Sequence, residues 1–198
     1  MKTLLTKRLA RYFRRCDGSI SVETALVMPI LFALYAGAFV WFDAYRVQNI
    51  NLKATYTISD MISREYEKID SDYFDGLDKI YDYLTHSTHP TSLRVSTLEC
   101  TGNCDSDEAR TLEVCWSHGS TGRVNLTTAD IKYYEHAIPL FHEADTLIMT
   151  ETFLNYSPAF NVGINAQTFE NTVFTRPRLA GQIKFEDSSG TLNDCYSN

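Results

Sequence analysis

The sequence predicts an α+β fold, with one long N-terminal helix, a second short helix and a small antiparallel β-sheet. Two observations predict it. Apolar residues recur at helical spacing through residues 38–75, where neither Pro nor Gly interrupts the chain. Beyond residue 92, apolar and polar residues alternate in short runs between turn residues, which is typical of antiparallel strands. Such a sheet would give the later part of the helix a surface to pack on.

The N-terminus has the composition of a membrane anchor. Residues 1–18 form a basic leader with six Lys and Arg among the first 15 residues, and residues 24–42 carry no formal charge. These 19 residues are enough, at 1.5 Å rise each, to cross a hydrocarbon core of roughly 30 Å as a helix. The positive-inside rule places the leader in the cytoplasm and the remainder outside, with Trp41, Phe42 and Tyr45 at the far membrane surface.

A secretory signal peptide is the competing interpretation of this region. The basic start and the apolar residues 24–35 fit it, and Ala36-Gly37-Ala38 has the form of a cleavage site. Two details favour an anchor instead. The chain stays apolar from residue 39 to 42, and a signal peptide leaves the charge of Glu23 unexplained. A bare membrane anchor is a further alternative.

The helix is expected to continue well beyond the membrane. We predict that it occupies residues 19–68, with the membrane span at residues 24–42 and an amphipathic part at residues 44–66 outside. Polar groups are expected on the opposite face, where Asp60 and Arg64 form an i,i+4 pair. The apolar face consists of Ala44, Val47, Ile50, Ala54, Ile58, Met61 and Ile62.

An α+β domain is predicted over residues 69–198. It begins with a short helix at residues 71–84, and a polar linker at residues 85–92 separates that helix from the strands. The first two strands flank an acidic, turn-rich loop and should pair as an antiparallel hairpin. The predicted strands are residues 93–98, 112–116, 146–156 and 168–174.

Charge and motifs argue against a nucleic-acid partner and against catalysis. The net charge is −7, and beyond residue 18 the chain has 12 basic and 24 acidic residues, a balance that nucleic acid would repel. The five histidines form no His-Glu-x-x-His or comparable ligand spacing, and the chain has neither a Gly-x-Ser-x-Gly motif nor a phosphate-binding glycine loop. We therefore expect no catalytic residues, no cofactor and no metal site.

The cysteines favour an oxidising compartment. Cys16 lies on the cytoplasmic side of the predicted span, and four others lie beyond it. An even number outside the membrane favours two disulfides, for which three connectivities are possible. A zinc site is the alternative, although the spacing lacks a Cys-x2-Cys pair. The four candidates are Cys100, Cys104, Cys115 and Cys195.

Glu23 stands alone at the start of the uncharged run. A carboxylate at the edge of hydrocarbon costs about 2.5–3.5 kcal/mol by insertion scales, so a compensating partner is expected. Cleavage between Gly18 and Ser19 would free an α-amino group, and in a helix bundle that amine would neutralise Glu23 of the neighbouring subunit. The alternative is a carboxylate at headgroup level that the helix dipole stabilises.

These features together resemble the type IV pilin class. The basic leader, Gly18, Glu23 at the fifth position after it and the long apolar helix are similar to a prepilin, in particular to the TadE-like pilus assembly proteins of the bacterial tight adherence (Tad/Flp, type IVc) system. The resemblance continues in ISDMISRE (58–65), IPLFHEADTLIMTETFLNYSP (138–158) and FTRPR (174–178). Thr24 follows Glu23 where the major pilins of this system have Tyr, which favours a minor pilin or an assembly factor.

The resemblance implies a function and a set of partners. In that family a prepilin peptidase cuts after the Gly, so Gly18 and Ser19 would form the scissile bond and Glu23 would be the recognition and assembly residue. The implied protein is a non-enzymatic pseudopilin of the bacterial inner membrane, with its C-terminal domain in the periplasm, that takes part in building an adhesive pilus. Implied partners are the peptidase, other pilins and pseudopilins, the inner-membrane assembly platform and membrane lipid. The alternative is an uncleaved, membrane-anchored periplasmic binding or adhesion domain.

Overall fold

The computed structural model describes residues 20–66, 68–86, 89–120, 122–143 and 145–195. The predicted leader, and with it the bond between Gly18 and Ser19, lies outside these residues. In chain order the elements are α1 (Ile20–Ser63), β1 (Lys68–Asp70), α2 (Ser71–Leu84), β2 (Thr91–Gly102), β3 (Thr111–Gly119), a one-turn 3-10 helix (Asp130–Tyr133), β4 (Thr146–Tyr156), β5 (Gln167–Thr175), β6 (Lys184–Glu186) and β7 (Leu192–Asn193). The chain is therefore α+β, with one long apolar N-terminal helix and a small antiparallel sheet domain.

Helix α1 has 44 residues and contains Pro29, which gives it a length of about 66 Å. It ends at Ser63, five residues before the end that the sequence predicts. Two contacts account for this end. The carbonyl of Ser63 accepts a hydrogen bond from the backbone N–H of Arg178 at 2.8 Å, and residues 68–70 pair in parallel with β6 instead of continuing the helix.

The main sheet has four antiparallel strands in the order β3-β2-β4-β5. Strands β2 and β3 form the predicted hairpin, and β4 has the predicted bounds of residues 146–156. Strand β5 extends one residue beyond the prediction at each end. All but one of the residues of β4 are buried, because the strand lies inside the sheet and both of its faces are covered.

Two layers cover the two faces of this sheet. The later part of α1 and the whole of α2 pack on one face, where Ile58, Ile62, Tyr81 and Ile148 are fully buried. The segment at residues 122–143, which includes the 3-10 helix, covers the other face. Its buried apolar side chains are Leu126, Ile131, Ile138 and Phe141. The fold thus buries a β-sheet between helices and an irregular but well-packed segment.

A second, three-stranded sheet in the order β1-β6-β7 was not predicted. Its strands have only two or three residues each, which is too short for an alternating pattern to show in the sequence. This small sheet lies at the end of the domain that is next to the C-terminus of α1. Trp116 joins it to β3, because its indole N–H donates to the carbonyl of Ile183 at 2.7 Å and its ring stacks on Phe185.

Two disulfides settle which of the three connectivities occurs. Cys100 is bonded to Cys104, and Cys115 is bonded to Cys195. The first closes a short loop after β2, with a sequence separation of 4. The second ties the last described residue to β3 across a separation of 80, so it limits the unfolded chain much more strongly.

Candidate functional site

The most unusual surface of the molecule is the first part of α1. All 16 residues from 20 to 35 are exposed, and the helix is long and apolar enough to cross a membrane. A soluble monomer rarely exposes a continuous apolar surface of this length, so its surroundings in the cell are expected to be lipid or other apolar helices. Its exposed large apolar side chains are Ile20, Val22, Leu26, Val27, Met28, Ile30, Leu31, Phe32, Leu34 and Tyr35.

Glu23 lies in the first turn of this exposed helix and is itself exposed. Within the described ranges no cationic side chain forms an ion pair with it. The side chain of its neighbour Thr24 bonds back to the carbonyl of Ile20 at 2.8 Å. This position suits a partner from another molecule, and it also suits stabilisation by the positive end of the helix dipole. The other two predicted site residues, Gly18 and Ser19, lie outside the described residues.

The later part of α1 is held on the sheet by a row of buried polar side chains. Asn51, Thr55 and Ser59 are each buried at 0–1% exposure and follow one another at intervals of one helical turn. Thr55 shares a hydrogen bond of 2.6 Å with Thr152 of β4, and Ser59 shares one of 2.6 Å with Thr175 of β5. The expectation that polar groups lie on the face opposite the core is therefore wrong for these residues.

Asn51 is the most connected member of this row. Its side-chain carbonyl accepts from the hydroxyls of Tyr81 at 2.6 Å and Thr152 at 3.3 Å, while its amide donates to the carbonyl of Phe169 at 3.3 Å. Burial raises the pKa of Tyr81, so its hydroxyl stays protonated and remains a donor. One side chain thus joins α1, α2, β4 and β5. The sequence signal for this row was the i,i+4 spacing of three polar residues, at positions 51, 55 and 59, which places them on one face of the helix.

A second polar contact lies nearer to the exposed part of the helix. The hydroxyl of Tyr156, at the end of β4, donates to a carboxylate oxygen of Asp43 at 3.0 Å. Burial, followed by the hydrogen bond and the charge of Asp43, raises the pKa of Tyr156 to about 12. The ring of Tyr156 stacks on Phe169 at 5.3 Å and belongs to a buried cluster with Ala44 and Leu154. The sheet therefore holds α1 from Asp43 onward.

Ion pairs hold the opposite end of α1. Arg64 pairs with Asp60 at 2.9 Å, which confirms the predicted i,i+4 pair, and Arg178 pairs with the other oxygen of Asp60 at 3.1 Å. Arg176 pairs with Asp145 at 3.3 Å. All of these groups are partly exposed, so each pair contributes little stability on its own. Their role is to place the FTRPR segment against the end of the helix.

A largely buried ion pair between Arg94 and Glu151 was not predicted from the sequence. The guanidinium of Arg94 donates to both carboxylate oxygens of Glu151, at 2.6 and 2.8 Å, from neighbouring strands. Burial opposes the charged form, but the hydrogen bond and the charge of Glu151 prevail and raise the pKa of Arg94. Arg94 also donates to the carbonyl of Val124 and to the hydroxyl of Tyr134. The pair thereby fixes the segment that covers the second face of the sheet.

Within the described parts of the chain, one group has the ligand types and spacing of a metal site. The ligand atoms of Glu99, Cys115 and Cys195 lie within 4.8 Å of one another. Both sulfurs are bonded in the disulfide, so the group offers a single carboxylate to a cation. Burial, with the nearby charges of Glu113 and Asp194, raises the pKa of that carboxylate.

A cavity of about 330 Å³ opens beside the part of the domain that lies nearest to the exposed first part of α1. Asp43 and Arg46 line it from α1, and His86 and His89 line it from the segment after α2. The ring of His89 lies 5.3 Å from that of Tyr156. The lining has no nucleophile paired with a base, so it does not have the arrangement of a catalytic site.

No protein-family model, curated protein or solved structure matches this chain.

Proposed function

We propose that this chain is a TadE-like pseudopilin, a non-enzymatic component that takes part in the assembly of a tight adherence pilus. It is inserted in the bacterial inner membrane by the first part of α1, with its leader in the cytoplasm and its sheet domain in the periplasm. A prepilin peptidase cuts between Gly18 and Ser19, and Glu23 is the assembly residue. Other pilins and pseudopilins and the inner-membrane assembly platform are its partners.

One observation carries this proposal. The first 16 described residues of α1 are all exposed and carry a single charged side chain, Glu23, in the first turn, and the later part of the same helix is built into a folded domain. A helix that served only as an anchor would gain nothing from a carboxylate at the edge of hydrocarbon, where it costs about 2.5–3.5 kcal/mol. In a bundle of such helices, an amine on the neighbouring subunit would recover that cost, and the pair would set the stagger between subunits.

The proposal is tested first by the N-terminus of the mature protein. Membranes are purified from the native host, and the protein is isolated and sequenced by Edman degradation. The expected first residue is Ser19. Met1 would overturn the proposal in favour of an uncleaved anchored domain, and Phe39 would overturn it in favour of a secreted protein cut after Ala38.

The second test separates the role of Glu23 from any general effect of losing a surface carboxylate. Glu23→Ala and Glu23→Gln are expected to insert in the membrane in normal amounts but to reduce pilus number strongly, as counted by electron microscopy. Asp72→Ala is the matched control, because Asp72 is also an exposed carboxylate in the first turn of a helix. It lies in the sheet domain, and its loss is expected to leave pilus number unchanged. Normal piliation in both Glu23 variants would disprove the assembly role.

A further inference from the structure

The connection between β4 and β5 contacts α1 just beyond its exposed first part. The ring of Phe160 lies 6.4 Å from that of Phe39 in an edge-on contact. A side-chain carbon placed on Gly37 would lie 3.7 Å from a methyl group of Val162, and one on Gly163 would lie 3.5 Å from the indole nitrogen of Trp41. We call residues 157–166 the β4–β5 loop, and it lies alongside residues 37–41 of the helix.

The length of the bare helix brings this loop to the membrane. Residues 20–35 form the continuous exposed stretch at the start of the described helix, and 16 helical residues cover about 24 Å. A hydrocarbon core measures roughly 30 Å, so a bilayer that surrounds the bare helix also reaches the residues that the loop contacts. The first charged residues beyond the apolar run are Asp43 and Arg46. The membrane surface on the side of the sheet domain therefore lies between about residue 40 and residue 43.

The composition of the loop suits that position. No residue from 152 to 169 carries a formal charge. Phe160 is 55% exposed and Val162 is 37% exposed, although both lie beside apolar helix residues. Backbone polar groups cannot enter hydrocarbon without partners, whereas aromatic rings are favoured at the membrane surface. The side chain of Phe160, rather than the loop backbone, is therefore the group suited to insertion.

We infer that the β4–β5 loop is a second membrane contact, which inserts Phe160 into the lipid on the side of the bilayer where the sheet domain lies. The inference rests on the proposal that α1 spans the membrane. Together, the helix and the loop hold the domain at two points, which restricts the tilt of the domain relative to the bilayer. The occupant of this surface is phospholipid, not a second copy of the chain.

The test replaces single residues of the full-length protein with photoreactive benzoylphenylalanine and reconstitutes it in phospholipid nanodiscs at one copy per disc. Position 160 is compared with two others. Met28 is a bare-helix residue that is 47% exposed, and Leu179 is 61% exposed and follows Arg178, which contacts the far end of α1. Position 179 therefore lies about 36 Å further along the helix axis than the loop. Lipid adducts are measured by mass spectrometry, and both disulfides are checked in each variant to establish that it has folded.

The expected result is that lipid adducts form at positions 28 and 160 and that none forms at position 179. Adduct at position 28 without adduct at position 160 would overturn the loop inference and leave the membrane span intact. No adduct at position 28 would overturn the membrane span and, with it, the loop inference. Equal labelling at positions 160 and 179 would also overturn the inference, because the domain would then lie flat on the bilayer.

A separate experiment tests whether a second copy of the chain covers this surface. It uses detergent micelles with several copies each and no nanodiscs. Crosslinks between chains that are more frequent at position 160 than at position 28 would assign the surface to a second copy and overturn the inference.

Discussion

The two parts of α1 differ in what their side chains contact, although they form one continuous helix. Residues 20–35 are the most apolar part of the chain, and all of them are exposed. From Val40 onward the helix is more polar, yet nine of its residues are buried, and four of these are Asn, Ser or Thr. Along this helix, the more apolar part is therefore exposed and the more polar part is buried within the chain.

This difference shows that the two parts are adapted to different surroundings. The first part exposes apolar side chains, and such a surface gains free energy from contact with lipid or with other helices. The second part makes its contacts within the chain, where each buried polar group has a specific partner on the sheet. Substitutions that are alike in chemistry should therefore have unlike effects in the two parts.

The largest difference is expected for deletion of an apolar side chain. Ile58→Ala should lower the free energy of unfolding by about 2–5 kcal/mol, since Ile58 is fully buried and its loss leaves a cavity. Leu31→Ala, its counterpart in the bare helix, should change it by less than about 0.5 kcal/mol, because Leu31 is 53% exposed. Guanidinium unfolding of the full-length protein in detergent micelles measures both. Equal destabilisation would show that the first part also packs on the domain.

An intermediate effect is expected for the polar row. Asn51→Ala removes the shared partner of two buried hydroxyls and one carbonyl, and should cost about 1–3 kcal/mol in the same assay. Asn49→Ala is the control, because among the described residues the side chain of Asn49 bonds only to the carbonyl of Tyr45, within its own helix. It should be neutral or slightly stabilising, since Ala favours the helix more than Asn does. A loss as large for Asn49 as for Asn51 would mean that the contacts across the interface are not what stabilises the domain.

The smallest effect is expected in the pH dependence of stability, and it concerns only the packed domain. His118 lies between Phe74, in edge contact at 4.5 Å, and Phe185, stacked at 4.6 Å. Burial lowers the pKa of His118, and the charge of Asp75 opposes this only in part. The folded protein therefore binds fewer protons here than the unfolded chain, whose His has a pKa of about 6.5. Stability is retained above that value and is lost as the pH falls through the lower folded pKa.

This effect is measured by the free energy of unfolding between about pH 5 and pH 7.5, a range that includes the pKa of His in the unfolded chain. His118→Gln should flatten part of the decline at low pH, whereas His136→Gln, at an exposed position, should leave the profile unchanged. An unaltered slope in His118→Gln would show that the decline comes from carboxylates instead.

Local signals in the sequence predicted the main elements well. Helix α2 has the predicted bounds, because Asp70 caps its first turn by accepting from the backbone N–H of Tyr73 at 2.8 Å. The continuous run of residues 146–156 likewise predicted the most buried strand. The exposed apolar helix and the position of Glu23 at its start were also evident from the sequence, since both follow from charge and hydropathy alone.

Contacts between distant residues could not be predicted in the same way. The partner of Asn51 on β5 is 118 residues away, and a polar residue on a helix face does not reveal that a matching polar group will lie opposite it. The β4–β5 loop meets the helix across a similar separation. Its lack of charge was visible in the sequence, but only the topology shows that it returns to residues 37–41.

The row formed by Asn51, Thr55 and Ser59 also has a mechanical consequence. Its three attachment points to the sheet, at Phe169, Thr152 and Thr175, are spread along the helix at intervals of about 6 Å. Force applied along the helix axis is shared among all three hydrogen bonds, whereas lifting the helix from one end breaks them singly. The joint is therefore stronger in shear than in peeling, so traction on the exposed first part of α1 is transmitted to the whole sheet domain.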